Sequence, residues 1–542
     1  MNDRRTSLNV NPFDFQFNVL RSAWYFSFFL SSFSSALAQH SSATQVYVDP
    51  SLWKGVLVLQ SGITASDDEV SATDVQLLVT SIESQDARCL LAIDPATAQS
   101  PAIDKLLTDF ATTISRVAPQ QISDNLQDAS AVASWEACEV IWIDTDAATS
   151  LAIMQQDEAL RQRLIQCLRE VLARGGFVRI SGDLKWLDSR ANKGSGLLAA
   201  CRFSDPSDSA ATQEPLLHLE MPLGARCGFA KRQMLNLSDS PVTIRIAPTT
   251  HYATGLTEVL QSGKSIDWVQ WQRALLERQQ PMFPRPERVE HRLAGGALVI
   301  GGGGGMPNEV WQRFVALAGG ADSRIVILPT AVEDATDGPT FESRVLKQAG
   351  AEHIVTLPQT KLSEVEREAF LAELDKATGV WFGGGRQWRF VDAYWGTPAW
   401  EKLRDVCQRG GVIGGSSAGA TIQGDLLVRG APAGNHIMIA DGYRHGLGLL
   451  PGVAIDQHFS QRNRFRELEG CLAEFPSICG IGIDEQTALI VTSPDQCEVI
   501  GTGSVWHYPS YDTTNDLKPN SATRSALRQE HKSGSQFSLV PK

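Results

Sequence analysis

The stretch Gly411-Val412-Ile413-Gly414-Gly415-Ser416-Ser417-Ala418-Gly419-Ala420-Thr421 reads as a buried strand, a tight glycine-rich turn and the start of a helix. Gly415, Ser417 and Gly419 satisfy G-x-S-x-G in the strand-turn-helix context that gives the pattern its meaning. So tight a turn forces unusual backbone angles and close approach of neighbouring segments, which small residues permit. It lifts the hydroxyl of the central serine above the end of a sheet, with the N–H groups and positive end of the helix behind it. Ser417 is therefore a candidate nucleophile. Ser416 is out of register, because the residue two beyond it is Ala418. The plainer alternative is a glycine-rich turn that binds a ligand through its backbone.

Outward from this turn the chain alternates short apolar strands with helices. GGALVIGGGGG (295–305) reads as strand and loop, MPNEVWQRFVALAGG (306–320) as helix and RIVILPTA (324–331) as strand. GAEHIVTLP (350–358) is the next strand, SEVEREAFLAELDKA (363–377) one helix, TGVWFGGG (378–385) a strand and AWEKLRDVCQRGG (399–411) a helix. Such alternation predicts an α/β domain whose parallel sheet carries helices on both faces.

Upstream, CEVIWIDTD (138–146) and RLIQCLREVLARGGFVRISGD (163–183) repeat the strand, helix, Arg-Gly-Gly, strand order. Asp144-Thr145-Asp146 replaces the glycine loop, and Gly182 stands where the later copy has Ser417. The earlier region thus reads as a degenerate α/β domain of similar type, without the reactive residue. QQPMFPRPERVE (279–290) separates the two, because its prolines lack N–H donors and restrict their predecessors. The expected organisation is 1–38 an export signal, 39–280 a non-catalytic α/β domain, 281–293 a linker and 294–542 the catalytic domain. The export signal rests on Arg4, Arg5 and Arg21, the apolar run from Ala23 to Leu30, and Ala36-Leu37-Ala38 before Gln39. It predicts a secreted or periplasmic protein. The apolar run is too short to span a bilayer.

Composition narrows the function. Net charge is -13, with 43% hydrophobic and 20% charged residues, so a nucleic-acid binder, which needs clustered Lys and Arg, is not expected. Nine cysteines (89, 138, 167, 201, 227, 407, 471, 479 and 497) are scattered without a CxxC pair; zinc is not expected, and most read as small buried residues. No cofactor is expected. The run Gly301–Gly305 after a strand lacks the third glycine of a dinucleotide fingerprint and the Gly-Lys-Ser/Thr of a phosphate loop.

A serine needs a base. His436, His445 and His458 all lie downstream. His458 stands where an apolar strand meets a charged helix, at the end of a strand where open α/β sheets bind ligands; Ser460 is placed to cap that helix. For the carboxylate that orients the base, Glu485 competes with Asp441, Asp456 and Asp484.

Taken together, IGGGGG (300–305), AGGADSRIVILPTA (318–331), WFGGGRQ (381–387), GGSSAGA (414–420), DQHFSQR (456–462) and GIGIDEQTAL (480–489) resemble the cyanophycinase and peptidase E family. These are serine peptidases on a flavodoxin-like, class I glutamine-amidotransferase-like fold. The resemblance runs from about Ala294 to the C-terminus. It implies Ser417 as nucleophile, His458 as base and Glu485 as its partner, with Gly385 and Ala418 supplying oxyanion N–H groups. Gln387, Gln457 and Arg462 match substrate-pocket positions. An amidotransferase would need a Cys nucleophile, and the turn holds Ser417.

The implied reaction is hydrolysis of (iso)aspartyl peptide bonds, in cyanophycin or aspartyl peptides, releasing β-aspartyl dipeptides; a homodimer is compatible with it. Two departures bear on specificity. Arg386 stands where cyanophycinases usually have Asp, which favours a more acidic substrate. Glu467 falls at the ungapped position of a second pocket arginine, with Arg466 one residue earlier. A non-catalytic peptide-binding protein on the same fold, or a peptidase E-like aspartyl dipeptidase, is the rival reading.

Overall fold

The computed structural model describes residues 232–293, 295–335, 338–360, 362–511 and 519–540. Before them it describes 56–61, 87–92, 111–116, 128–138, 140–145, 158–174, 177–182, 201–204, 217–222 and 225–230, with Leu184 and Leu187. The expected export signal lies outside the described residues.

The first half contains β1 (Val56–Ser61), β2 (Ala87–Ala92), β3 (Ala111–Arg116), β4 (Val140–Thr145), β5 (Phe177–Gly182), β6 (Cys201–Ser204), β7 (Leu217–Glu220), β8 (Arg226–Ala230), β9 (Gln233–Asn236), β10 (Val242–Ile246), β11 (Leu256–Leu260) and β12 (Ser265–Asp267). The second contains β13 (Ala297–Gly301), β14 (Arg324–Leu328), β15 (His353–Thr356), β16 (Gly379–Phe382), β17 (Val412–Ser416), β18 (Gly424–Leu426), β19 (Leu450–Gln457), β20 (Cys479–Ile483), β21 (Thr487–Ser493), β22 (Gln496–Gly501), β23 (Ser504–Tyr508), β24 (Gln529–Lys532) and β25 (Gln536–Phe537).

The two halves share one topology. In the second, the large sheet runs β15-β14-β16-β17-β13-β21-β22-β25. Its first five strands are mutually parallel and the last three join antiparallel. In the first, the sheet runs β3-β2-β4-β5-β1-β8-β9-β12 with the same orientations. The smaller sheets, β6-β7-β10-β11 and β18-β19-β20-β23-β24, agree likewise once β18 is set aside as an addition. Counting from the pairs Val56–Phe177 and Ala297–Val412, Gly182 falls at the position of Ser417.

Each half closes over its own core. Leu57, Ile143, Leu168, Ile180, Phe229 and Leu275 belong to the first. In β13 the period-two alternation of a strand sends Leu298 and Ile300 to one face and Ala297 and Val299 to the other, and both faces are buried. The helix Asn308–Leu317 covers the second face with Val310, Trp311 and Phe314; the helix Pro398–Gln408 covers the first with Leu403 and Val406. Between the cores, 281–293 forms neither helix nor strand.

Two local expectations need correction. The segment 363–377 is two helices, Leu362–Val365 and Glu368–Lys376, because Arg367 takes an extended conformation between them. The helix after His458 starts only at Phe465, without a side-chain cap. Ser460 lies too far before that start to cap it, and its N–H donates to Asp484 Oδ1 at 3.0 Å. Asn463, at φ 51°, keeps this stretch turned. Seven cysteines (138, 167, 227, 407, 471, 479 and 497) are free and buried. Among the described residues no helix is long and apolar enough to cross a membrane.

Candidate active site

The elbow forms as the glycine pattern predicts. Ser417 has φ 57° and ψ -114°, a region that costs an ordinary residue on the order of 1–3 kcal/mol and persists only where the surroundings enforce it. Its N–H is tied to Gly301 O at 3.0 Å across to β13. A Cβ on Gly419 would lie 2.2 Å from Phe382 O, so the helix Ala418–Thr421 can press against β16 only with glycine there.

The half-buried Ser417 hydroxyl lies 3.0 Å from His458 Nε2, and His458 Nδ1 lies 2.6 Å from Glu485 Oε1. Three segments distant in sequence are thus brought into line. His458 follows β19 at φ 48° with its N–H on Gly302 O at 2.8 Å. Glu485 sits in the turn between β20 and β21, where its N–H donates to Gln461 Oε1 at 2.9 Å. The other carboxylates have different partners. Asp441 binds Arg444, Asp456 binds Arg429 and Arg464, and Asp484 accepts from Ser460 N, Ser504 N and Trp506 Nε1. The other histidines are also elsewhere: His445 stacks on Phe283 at 4.1 Å between ring centroids, and His436 is exposed.

Sequence reasoning missed the role of the glycine run before the helix Asn308–Leu317. Gly303 and Gly304 have φ 97° and 73°, and Cβ atoms there would lie 2.3 Å from His458 Cε1 and 2.6 Å from Glu485 Cβ. The run is a backbone wall laid directly over the His–Glu pair. Gly303 O also accepts from Gln486 N at 2.8 Å, holding the turn that presents Glu485.

Electrostatics favour a neutral imidazole at His458. Burial lowers the His458 pKa below the ordinary histidine value; the Glu485 hydrogen bond opposes this, and the Arg462 charge reinforces it. With Nδ1–H donated to Glu485, Nε2 is left as the acceptor facing the serine.

Gly385, at φ 144°, packs so closely on Ala331 that a Cβ would lie 2.4 Å from Ala331 O. Among the described residues, neither the Gly385 nor the Ala418 N–H is engaged by a backbone carbonyl. The other expected pocket residues occupy varied surroundings. Gln387 is buried, with Nε2 3.4 Å from Val428 O. Gln457 is buried with Oε1 unpartnered. Arg462 is exposed in the turn after His458, not on a helix. Arg386 is exposed and donates to Asn435 Oδ1 at 2.7 Å. Glu467 accepts from Arg429 Nη2 at 2.6 Å, and the same buried guanidinium chelates Asp456 and donates to Asn435 O at 2.8 Å.

Residues 297–499 match the model of peptidase family S51. A cyanophycinase from Geminocystis herdmanii is 34% identical over 224 residues, 40% of this chain and 81% of the relative. The chain belongs to peptidase family S51. A cyanophycinase from Trichormus variabilis is 32% identical over 236 residues, 42% of this S51 peptidase and 78% of the relative. Among solved structures, a peptidase from an acI-B1 Actinobacterium is 22% identical, covers 46% of this chain and 98% of its own, and has a TM-score of 0.34. Membership of S51 makes the protein a serine-type hydrolase. The matched residues begin at β13, so the family assignment rests on the second half.

Proposed function

We propose that this S51 peptidase is a cyanophycinase-like serine exopeptidase that hydrolyses (iso)aspartyl peptide bonds and releases β-aspartyl dipeptides through an acyl-enzyme. One observation carries the reading: the 3.0 Å approach of Ser417 Oγ to His458 Nε2, with Glu485 behind the imidazole. His458 Nε2 takes the hydroxyl proton as Ser417 Oγ bonds to the scissile carbonyl carbon. The N–H groups of Gly385 and Ala418 receive the charge that develops on the carbonyl oxygen. The imidazolium then gives its proton to the departing amine nitrogen as the C–N bond breaks. Water, losing a proton to His458, attacks the ester, and that proton returns to Ser417 Oγ as the acid leaves.

Arg462 is the candidate for gripping a substrate carboxylate, since guanidinium presents a planar fork of donors and it is exposed beside His458. Gln387 and Gln457 would fix the backbone of the same substrate. The unpartnered Oε1 of Gln457 supports this, because a buried acceptor without a donor costs free energy until a ligand supplies one. An export signal would place this activity outside the cytoplasm.

Incubation with cyanophycin and with α- and β-aspartyl dipeptides, followed by mass spectrometry, tests the proposal. β-Aspartyl-arginine is the expected product of cyanophycin. Cleavage of free aspartyl dipeptides alone would move the assignment to a dipeptidase, a reading that Glu467 in place of a pocket arginine favours. Absence of fluorophosphonate labelling in native protein would remove catalysis altogether.

A further inference from the structure

The segment after the nucleophile helix folds back on itself as a flap. Leu427 N–H donates to Arg444 O at 2.7 Å and Arg429 N–H to Met438 O at 2.8 Å. At its tip, Asn435 touches both Arg386, which follows the oxyanion glycine, and Arg429, which holds Asp456 two residues before His458. The flap tip therefore ties the loop after β16 to the end of β19, the strand that leads into His458.

The base of this flap rests on the first half of the chain. In the helix Trp268–Arg278, the buried Glu277 accepts from Gly442 N–H through Oε2 at 2.8 Å and from Arg444 N–H through Oε1 at 3.0 Å. Gly442, at φ 83°, approaches so closely that a Cβ would lie 2.7 Å from Ala274 N and 2.8 Å from Arg273 Cβ. Between them Tyr443 OH donates to Asp392 Oδ1 at 2.8 Å. Asp392 lies in the helix Gln387–Tyr394, whose first residue, Gln387, is buried with Nε2 3.4 Å from Val428 O of the flap. That carboxylate is held by Arg273 Nε at 2.6 Å and by Arg232. Both guanidiniums come from the first half, and both are largely buried. The flap and the helix Gln387–Tyr394 thus meet at one acid whose cationic partners, among the described residues, are Arg232 and Arg273 of the first half.

We propose that the first half is a brace for the substrate side of the active site, acting through the helix Trp268–Arg278 with Arg273 and Glu277 as positioning residues. It contributes no reacting group. Without it, Asp392 is a buried charge without its cations and the flap loses both anchors at its base. The kinetic part of this inference rests on the peptidase reading; the structural part does not.

Hydrogen exchange read by mass spectrometry on the full chain is the test, in Arg273→Ala, Glu277→Ala and, from the flap side, Gly442→Ala. Exchange in 427–446 and 387–395 is expected to accelerate roughly ten-fold or more while β13 and β17 keep their protection. Arg273→Lys and Glu277→Gln should restore much of it. With cyanophycin as substrate, KM should rise more than kcat falls, since the flap shapes binding while the triad is untouched. Unchanged exchange in 427–446 in these folded variants would overturn the brace, as would acceleration confined to 268–278. Because exchange needs no turnover, that failure is distinct from failure of the hydrolase reading.

Discussion

His458 is held by opposing influences, and their balance is measurable. Burial and the Arg462 charge disfavour imidazolium, while Glu485 favours it; the net result lies below the ordinary histidine pKa. The acid limb of the kcat/KM profile should therefore fall below that of a free imidazole. Arg462→Ala removes a cation from beside the ring, so the limb should move to higher pH in a pH–rate profile, alongside a loss of substrate handling. A limb that stays put would place Arg462 electrostatically apart from the base. His458→Ala should lower kcat by roughly 10⁴-fold or more with little change in melting temperature, because members of such a triad act as a unit. Stopped assays of purified variant against wild type decide it. At this scale the sequence spoke unevenly. Ser417 was legible because its chemistry needs a local turn with a local signature. The choice of Glu485 over Asp441, Asp456 and Asp484 was not, since what sets it apart is the company the others keep: Arg444, Arg429 with Arg464, and a set of N–H donors.

Among the elements, the loop Gly301–Gly305 has the most exacting task. A methyl on Gly303 would occupy the space of the imidazole, and the positive φ penalises any side chain there independently. Gly303→Ala is expected to displace His458 and cost roughly 10²-fold in kcat, the scale on which misplacement by an ångström is felt. Thermal melts should show the variant folded, and loss of fluorophosphonate labelling would report the displaced base. The strands and most helices were legible because each carries its own periodicity, such as Val310 and Phe314 on one helix or the apolar β16 and β17. A glycine run carries no such signal. Its five residues announce an open backbone without saying what presses on it, and the partners are more than 150 residues away. The late start of the helix at Phe465 has a similar origin, since the Ser460 N–H is tied to Asp484 in the turn after β20.

For the whole molecule, Glu277 links stability to pH at the junction of the halves. Burial pushes its pKa up to about 7, against the pull of the Gly442 and Arg444 N–H groups. A carboxyl raised in the folded state holds its proton more tightly there than when unfolded. Its contribution is thus complete below the usual carboxylate range and lost as pH climbs through about 7. Glu277→Gln removes this dependence. Its melting temperature relative to wild type should therefore improve from pH 5 to pH 8, and a difference independent of pH would show that the carboxyl is not the responsible group. The repeat of Arg-Gly-Gly and the Gly182 position carry the shared topology in the sequence itself. The agreement of every later strand, β6 to β12 with β19 to β25, could not be read from residues, because those strands are short and share little sequence.

Two copies of one architecture under one roof need not age alike. The earlier copy has Gly182 where the later one has Ser417. Drift at Asp144 or Asp146 should therefore pass unnoticed by turnover. Its freedom narrows at Arg232 and the helix Trp268–Arg278, where a change in Arg273 or Ala274 would be felt by a serine that neither of them touches.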